Sequence, residues 1–146
     1  VALEDDIRTL AEAPLLDELG HDALRLLAFS ADRLTLAEGD VLFREGDAAD
    51  SGFVLVAGSL ALTRRNGEKI VGPGALIGEL ALVSDTTRPA TATAREPSRV
   101  YRIARGLFER LLDEYPELAS KLHARLSARV QASLAELREI EALLRK

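Results

Sequence analysis

Within the stretch IGELALVSDTTRPATATA, residues 77–94, Glu79 and Arg88 stand nine positions apart with a polar loop between them. Arg88 offers a permanent cation whose forked donor set matches a phosphate. Glu79 cannot bind a phosphate, because like charges repel, but it can accept hydrogen bonds from the hydroxyls of a sugar. Gly78 and Glu79 open an apolar run, Leu80, Ala81, Leu82 and Val83, that fits one buried helical turn. The free amides at the start of such a turn carry partial positive charge and attract anions. Gly78 lets a ligand come close to the main chain. A phosphorylated ribose satisfies both charges in one pocket. Ala90, Ala92 and Ala94 alternate with Thr91 and Thr93, which predicts a strand with one face small enough to seat a flat ligand. Taken singly, each feature is ordinary structure. Their order is what points to a site.

Other chemistries find less support. The chain has no cysteine, which excludes disulfides, thiolate metal ligands and a cysteine nucleophile. Two histidines, His21 and His123, are too few and too far apart for a metal site. No P-loop, HExxH or serine-nucleophile motif occurs, so catalysis is not expected. Glu4, Asp5 and Asp6 read as a solvated helix start. The formal net charge is −5, with Lys and Arg interspersed among acids. Without a basic face, direct nucleic-acid binding is not expected. The apolar runs LRLLAF and FVLVAG are far short of a membrane span, and no signal-peptide pattern appears. A soluble, cytoplasmic protein is the expectation.

The elements that must position the site fall into three zones. The 146 residues suit one domain, and with aromatics at 4% its core is aliphatic. Residues 1–30 read as helices broken near Pro14. Residues 32–104 carry short apolar runs separated by Gly and Pro, the pattern of a β-sandwich or barrel. Asn66-Gly67 predicts a two-residue hairpin turn. Glu-Gly-Asp occurs at 38–40 and again at 45–47, on either side of VLFR, and reads as a pair of turns. In residues 105–146, GLFERLLDEY predicts one helix stopped before Pro116. A second helix then has no Gly or Pro to stop it. It places Val130, Leu137 and Leu144 at heptad position a and Leu126 and Ile140 at d, with His123 and Ser133 interrupting the seam. About 30 helical residues span about 45 Å, more than the sandwich can cover, so a homodimer through this helix is expected.

Residues 77–94 resemble the phosphate-binding cassette of cyclic nucleotide-binding domains. Gly78, Glu79, Leu80, Ala81, Leu82, Arg88, Ala90, Thr91 and Ala94 match that pattern in order and spacing. LTLAEGDVLFREGDAADSGFVLVAGSLALT is similar to the family's first strands, and PLLDELGHDALRLLA to the short helix before them. The resemblance implies an α+β fold: a jelly-roll β-sandwich flanked by N-terminal helices and a long C-terminal helix that serves as lid and dimer element. It implies that Glu79 and the Gly78 amide hold a ribose 2′-hydroxyl, and that Arg88 pairs with a cyclic phosphate, helped by the Ala81 amide. The implied cAMP-contacting set is Gly78, Glu79, Leu80, Ala81, Arg88, Pro89 and Ala90. If the register follows catabolite activator-like members, Arg129 and Ser133 of the C-terminal helix lie near the adenine, followed by an apolar Leu134.

Pro89 departs from the pattern, since family members usually carry Ala, Ser or Thr there, whose amide donates to the phosphate. Proline has no amide hydrogen, and a hydrogen bond to a charged group contributes about 1.5–3 kcal/mol. The hydroxyl that favours guanine in cGMP-selective members is also missing, so cAMP is expected over cGMP. The reading is a cAMP-responsive sensor that moves its C-terminal helix, either as the effector-sensing part of a transcription regulator or standing alone. The alternative is a dimerisation module that keeps the fold and has lost the ligand.

Overall fold

A computed structural model describes residues 2–117, 119–121, 124 and 142. Helix α1 (Ala2–Leu10) runs through a turn at Pro14 and one 3-10 turn (Leu16–Glu18) into α2 (His21–Ser30). No side chain caps the start of α2. Its stability comes from one buried stripe, Ala23, Leu24, Leu27 and Ala28, at helical spacing. The strands are β1 (Asp32–Leu36), β2 (Val41–Phe43), β3 (Ala48–Ala49), β4 (Ser51–Ala57) and β5 (Leu60–Arg64). They continue as β6 (Gly67–Val71), β7 (Leu76–Ile77), β8 (Thr86–Thr87), β9 (Thr91–Ala94) and β10 (Ser98–Ala104), followed by α3 (Arg105–Glu114).

All pairings are antiparallel. One sheet has the order β1-β10-β4-β7, the facing sheet β2-β9-β5-β6, and β3 pairs with β8 in a separate two-stranded sheet. Strand β4 explains the unbroken apolar run FVLV. Its Val54 and Val56 pack with Tyr101, Leu27 and Phe108 under the helices, while Phe53 and Leu55 pack with Leu60 and Val100 between the sheets. A strand covered on both faces reads as a continuous apolar run. Each fully buried leucine contributes about 1.5–3 kcal/mol relative to exposure. Among the described residues no helix is long and apolar enough to cross a membrane.

Three local expectations change. The β5–β6 hairpin turns on Arg65 and Asn66, with Gly67 already paired to Arg64. A type I′ turn on Asn66-Gly67 needs φ above zero at Asn66, and Leu15 is the one described non-glycine with positive φ. The turn after Gly78 is 3-10 rather than α, and it is only half buried: Ala81 and Leu82 point inward, while Leu80 and Val83 are 47% and 44% exposed. The alanine face of β9 is also different. Ala92 and Ala94 are packed between the sheets with Leu60 and Val100, so these two serve close sheet packing, while Ala90, just before the strand, borders a cavity. The proposed heptad seam, His123, Arg129, Ser133 and Leu134 lie outside the described residues.

Candidate functional site

The two Glu-Gly-Asp turns grip the two ends of the cassette strand in the same way. In each, glycine adopts φ +90 and the aspartate carboxylate accepts from the amide three residues earlier, Ala37 to Asp40 at 2.8 Å and Arg44 to Asp47 at 3.0 Å. That backbone is open to glycine at little steric cost. Gly39 N–H then donates to the Ala94 carbonyl at 2.8 Å, and Ala94 N–H to the Asp40 carbonyl at 2.9 Å. Gly46 N–H donates to the Arg88 carbonyl and Arg88 N–H to the Asp47 carbonyl, both at 2.8 Å. The Thr91 hydroxyl accepts from the Glu45 amide at 2.9 Å. Arg88 is therefore fixed at its main chain before any ligand is considered.

Its side chain turns inward and is 5% exposed. Nη2 donates to Ser51 Oγ at 3.2 Å. The guanidinium lies over the rings of Phe43 and Phe53, at 4.5 and 5.2 Å from their centroids. Nη1 is buried with no acceptor, the one such side-chain atom among the described residues. Burial pulls Arg88 below the usual arginine range; the charge of Asp50 opposes this, that of Arg102 adds to it and that of Asp47 opposes it. An arginine stays protonated at neutral pH regardless. A buried cation with an unused donor is a costly arrangement, and it calls for an anionic partner.

Gly78 closes over that donor. It adopts the left-handed conformation at φ +75, and a Cβ there would collide with Arg88 Nη1. The group that needs to approach this glycine closely is thus Arg88 itself. Gly78, Glu79, Leu80, Ala81, Arg88 and Pro89 come together around a cavity of about 260 Å³. A neighbouring cavity of about 410 Å³ shares Gly78 and Pro89, with Phe43, Leu62, Ile77 and Ala90 as an apolar wall. Glu79 is half buried at the first of these. The Ala81 amide donates to the Gly78 carbonyl at 3.1 Å, so in this structure it already has an acceptor. Pro89 is exposed between the two cavities.

Sequence reasoning missed Phe43, Ser51, Phe53 and Arg105. The guanidinium of Arg105, the first residue of α3, donates to the carbonyls of Ala81, Ala49 and Ser84 and to the Asp85 carboxylate. No local pattern marks these residues, because each meets the cassette across a long loop of chain.

Residues 33–115, more than half of the chain, match the family model described as the cyclic nucleotide-binding domain. The chain belongs to that family. The domain is 43% identical to a cyclic nucleotide-binding-like protein from Brucella abortus, whose structure covers 75% of this chain and 98% of its own, with a TM-score of 0.67. It is 32% identical to the N-terminal domain of a transcriptional regulator from Streptomyces coelicolor, covering 88% of this chain and 94% of that one, with a TM-score of 0.77. It is also 27% identical over 130 residues to neuropathy target esterase sws of Drosophila persimilis. That match takes in 80% of this chain and 9% of the esterase, so the domain spans about a tenth of the curated relative's length. The antiparallel β-sandwich and the N-terminal helices of the cyclic nucleotide-binding domain are accordingly in place.

Proposed function

We propose that this domain is a cAMP sensor whose ligand state is passed on through the C-terminal segment. The observation that carries the reading is Arg88: a buried guanidinium with one unused donor, beside a cavity that Glu79 also lines. The cyclic phosphate pairs with Arg88, and Glu79 with the Gly78 amide takes the ribose 2′-hydroxyl. Leu80, Ala81, Pro89 and Ala90 complete the wall, and Arg129 and Ser133 contact the base. cAMP is favoured over cGMP because Pro89 brings no hydroxyl. The missing Pro89 amide lowers affinity by roughly tenfold to a hundredfold.

The output is regulatory, not catalytic. The similarity to the N-terminal domain of a transcriptional regulator supports an effector-sensing role in such a protein, and a cytoplasmic homodimer joined by the C-terminal helices fits that role. A ligand shifts such an assembly only by its differential affinity for the two states. The competing reading is a dimerisation module without a ligand. Isothermal titration with cAMP and cGMP separates them: micromolar or tighter cAMP binding, abolished by Arg88→Ala, is expected. Absence of heat and of thermal shift with both nucleotides would overturn the sensor.

A further inference from the structure

Arg88 is held in a way that bears on how readily any anion can reach it. Phe43 and Phe53 sit 5.7 Å apart, centroid to centroid, with planes tilted by 33°, and both present a ring to the guanidinium. The negative face of an aromatic ring attracts such a cation, most strongly away from water. Ser51 Oγ holds Nη2. On the other side, Nη1 lies under the Gly78 α-carbon and is sealed from solvent. No ligand oxygen can reach Nη1 while this arrangement lasts.

We infer that Phe43 and Phe53 are positioning residues that set the threshold of the anion site, by holding Arg88 withdrawn until an anionic oxygen draws it out. The anion's identity as a cyclic phosphate rests on the proposed function. Withdrawn, the cation has two ring faces and one neutral acceptor, and leaves Nη1 without an acceptor. Extended into the cavity, it gains charge-assisted hydrogen bonds, which are stronger than ring contacts. Apparent affinity is the intrinsic affinity scaled by the fraction of molecules with Arg88 extended. Weaker rings raise that fraction.

The test is a graded series of mono-, di- and trifluorinated phenylalanines at position 43, with Phe43→Leu as the end point. Fluorination weakens the ring's negative face while keeping its shape, so a purely structural role leaves binding unmoved. cAMP should bind stepwise tighter, by about threefold to tenfold at the end of the series. Flat or weaker binding overturns the inference and leaves the sensor reading intact. In parallel, the Arg88 Nε–H resonance should be ring-shifted in the free protein and return toward its ordinary position on adding cAMP. A resonance that stays put on binding also overturns the inference. If the unmodified protein binds neither cyclic nucleotide, the sensor reading falls. Titration with inorganic phosphate then decides: movement of the Arg88 resonance supports the threshold, and no movement overturns it.

Discussion

Arg105 Nε donates to the carbonyl oxygen of Ala81 at 2.7 Å. The rest of the same guanidinium reaches Asp85 Oδ1 at 2.7 Å, the Ala49 carbonyl at 2.9 Å and the Ser84 carbonyl at 3.0 Å. One side chain at the start of α3 thereby ties down the far end of the cassette turn and the edge strand β3. A lysine has one ammonium and cannot span these acceptors. Arg105→Lys should leave carbonyls of the 81–84 turn unpaired, at about 1–3 kcal/mol in stability. Hydrogen exchange should rise in residues 80–85 before it rises in β4 or β10. Uniform loss of protection across the domain would show that Arg105 supports the whole fold instead.

Leu82 anchors that turn from below. It is fully buried in the helix-side core, and its side chain lies against Gly52 of β4, where an added Cβ would stand 3.2 Å from it. Leu82→Ala should cost about 2–5 kcal/mol, read as a drop in the denaturation midpoint at constant slope. Leu80→Ala, at a site 47% exposed, should leave the midpoint within about 0.5 kcal/mol.

Gly78→Ala meets two obstacles at once, a left-handed φ of +75 and a collision with Arg88 Nη1. The backbone strain alone is about 1–2 kcal/mol. Because relief of the collision displaces the arginine, cAMP affinity measured by titration should change by at least about tenfold. A control, Gly72→Ala, has open space around it and should leave affinity unaltered.

Asp6, expected to belong to a solvated helix start, is instead buried and fastens α1 to the sandwich. It is 4% exposed, takes both guanidinium nitrogens of Arg99 at 3.1 and 3.2 Å, and accepts from the Tyr101 hydroxyl at 2.6 Å. Burial alone would raise its pKa; the hydrogen bonds from Arg99 and Tyr101 and the charges of Arg99 and Arg33 outweigh it and hold the carboxyl below its ordinary 3.8. A depressed carboxyl stabilises the fold above its unfolded pKa and loses that contribution as pH falls through the folded value. Stability at neutral pH should therefore include this cluster in full and lose it below about 3.8. At the alkaline end, burial and the hydrogen bond to Asp6 push Tyr101 up from 10.0 to about 12. A phenol raised in the folded state contributes below its unfolded pKa and fades as pH rises across that interval. Asp6→Asn should flatten both limbs in urea titrations against pH, and unchanged limbs would assign them to other groups.

How much of this is legible in the sequence depends on how far apart the partners are. The twin Glu-Gly-Asp turns can be read locally, because glycine and the aspartate that closes the turn lie within four residues. Strand β9 follows from strict alternation. Alternation gives two faces without saying what each one meets, which is why the alanine face reads as one ligand seat while Ala92 and Ala94 turn out to be inter-sheet packing and only Ala90 borders a cavity. The hairpin shows the same limit, since Asn-Gly marks a turn but not its register. Arg88 is visible as a candidate cation. Its contact with Ser51 spans 37 residues, and no short-range rule connects a phenylalanine in VLFR to an arginine in the cassette. Arg105 looks like any surface charge at a helix start until the fold brings four oxygen atoms to it.

The matched grips on Arg88 and Ala94 have a further consequence for how this chain can vary in length. With each end fastened by two main-chain hydrogen bonds, the span between them works as a gauge of fixed size. An inserted or deleted residue inside 89–93 could not be taken up at either end. It would instead reverse the inward and outward faces of β9, exposing Ala92 and driving a threonine between the sheets. Tolerable insertions belong outside the grips, and the identity of residue 89 can drift in a way that its position cannot.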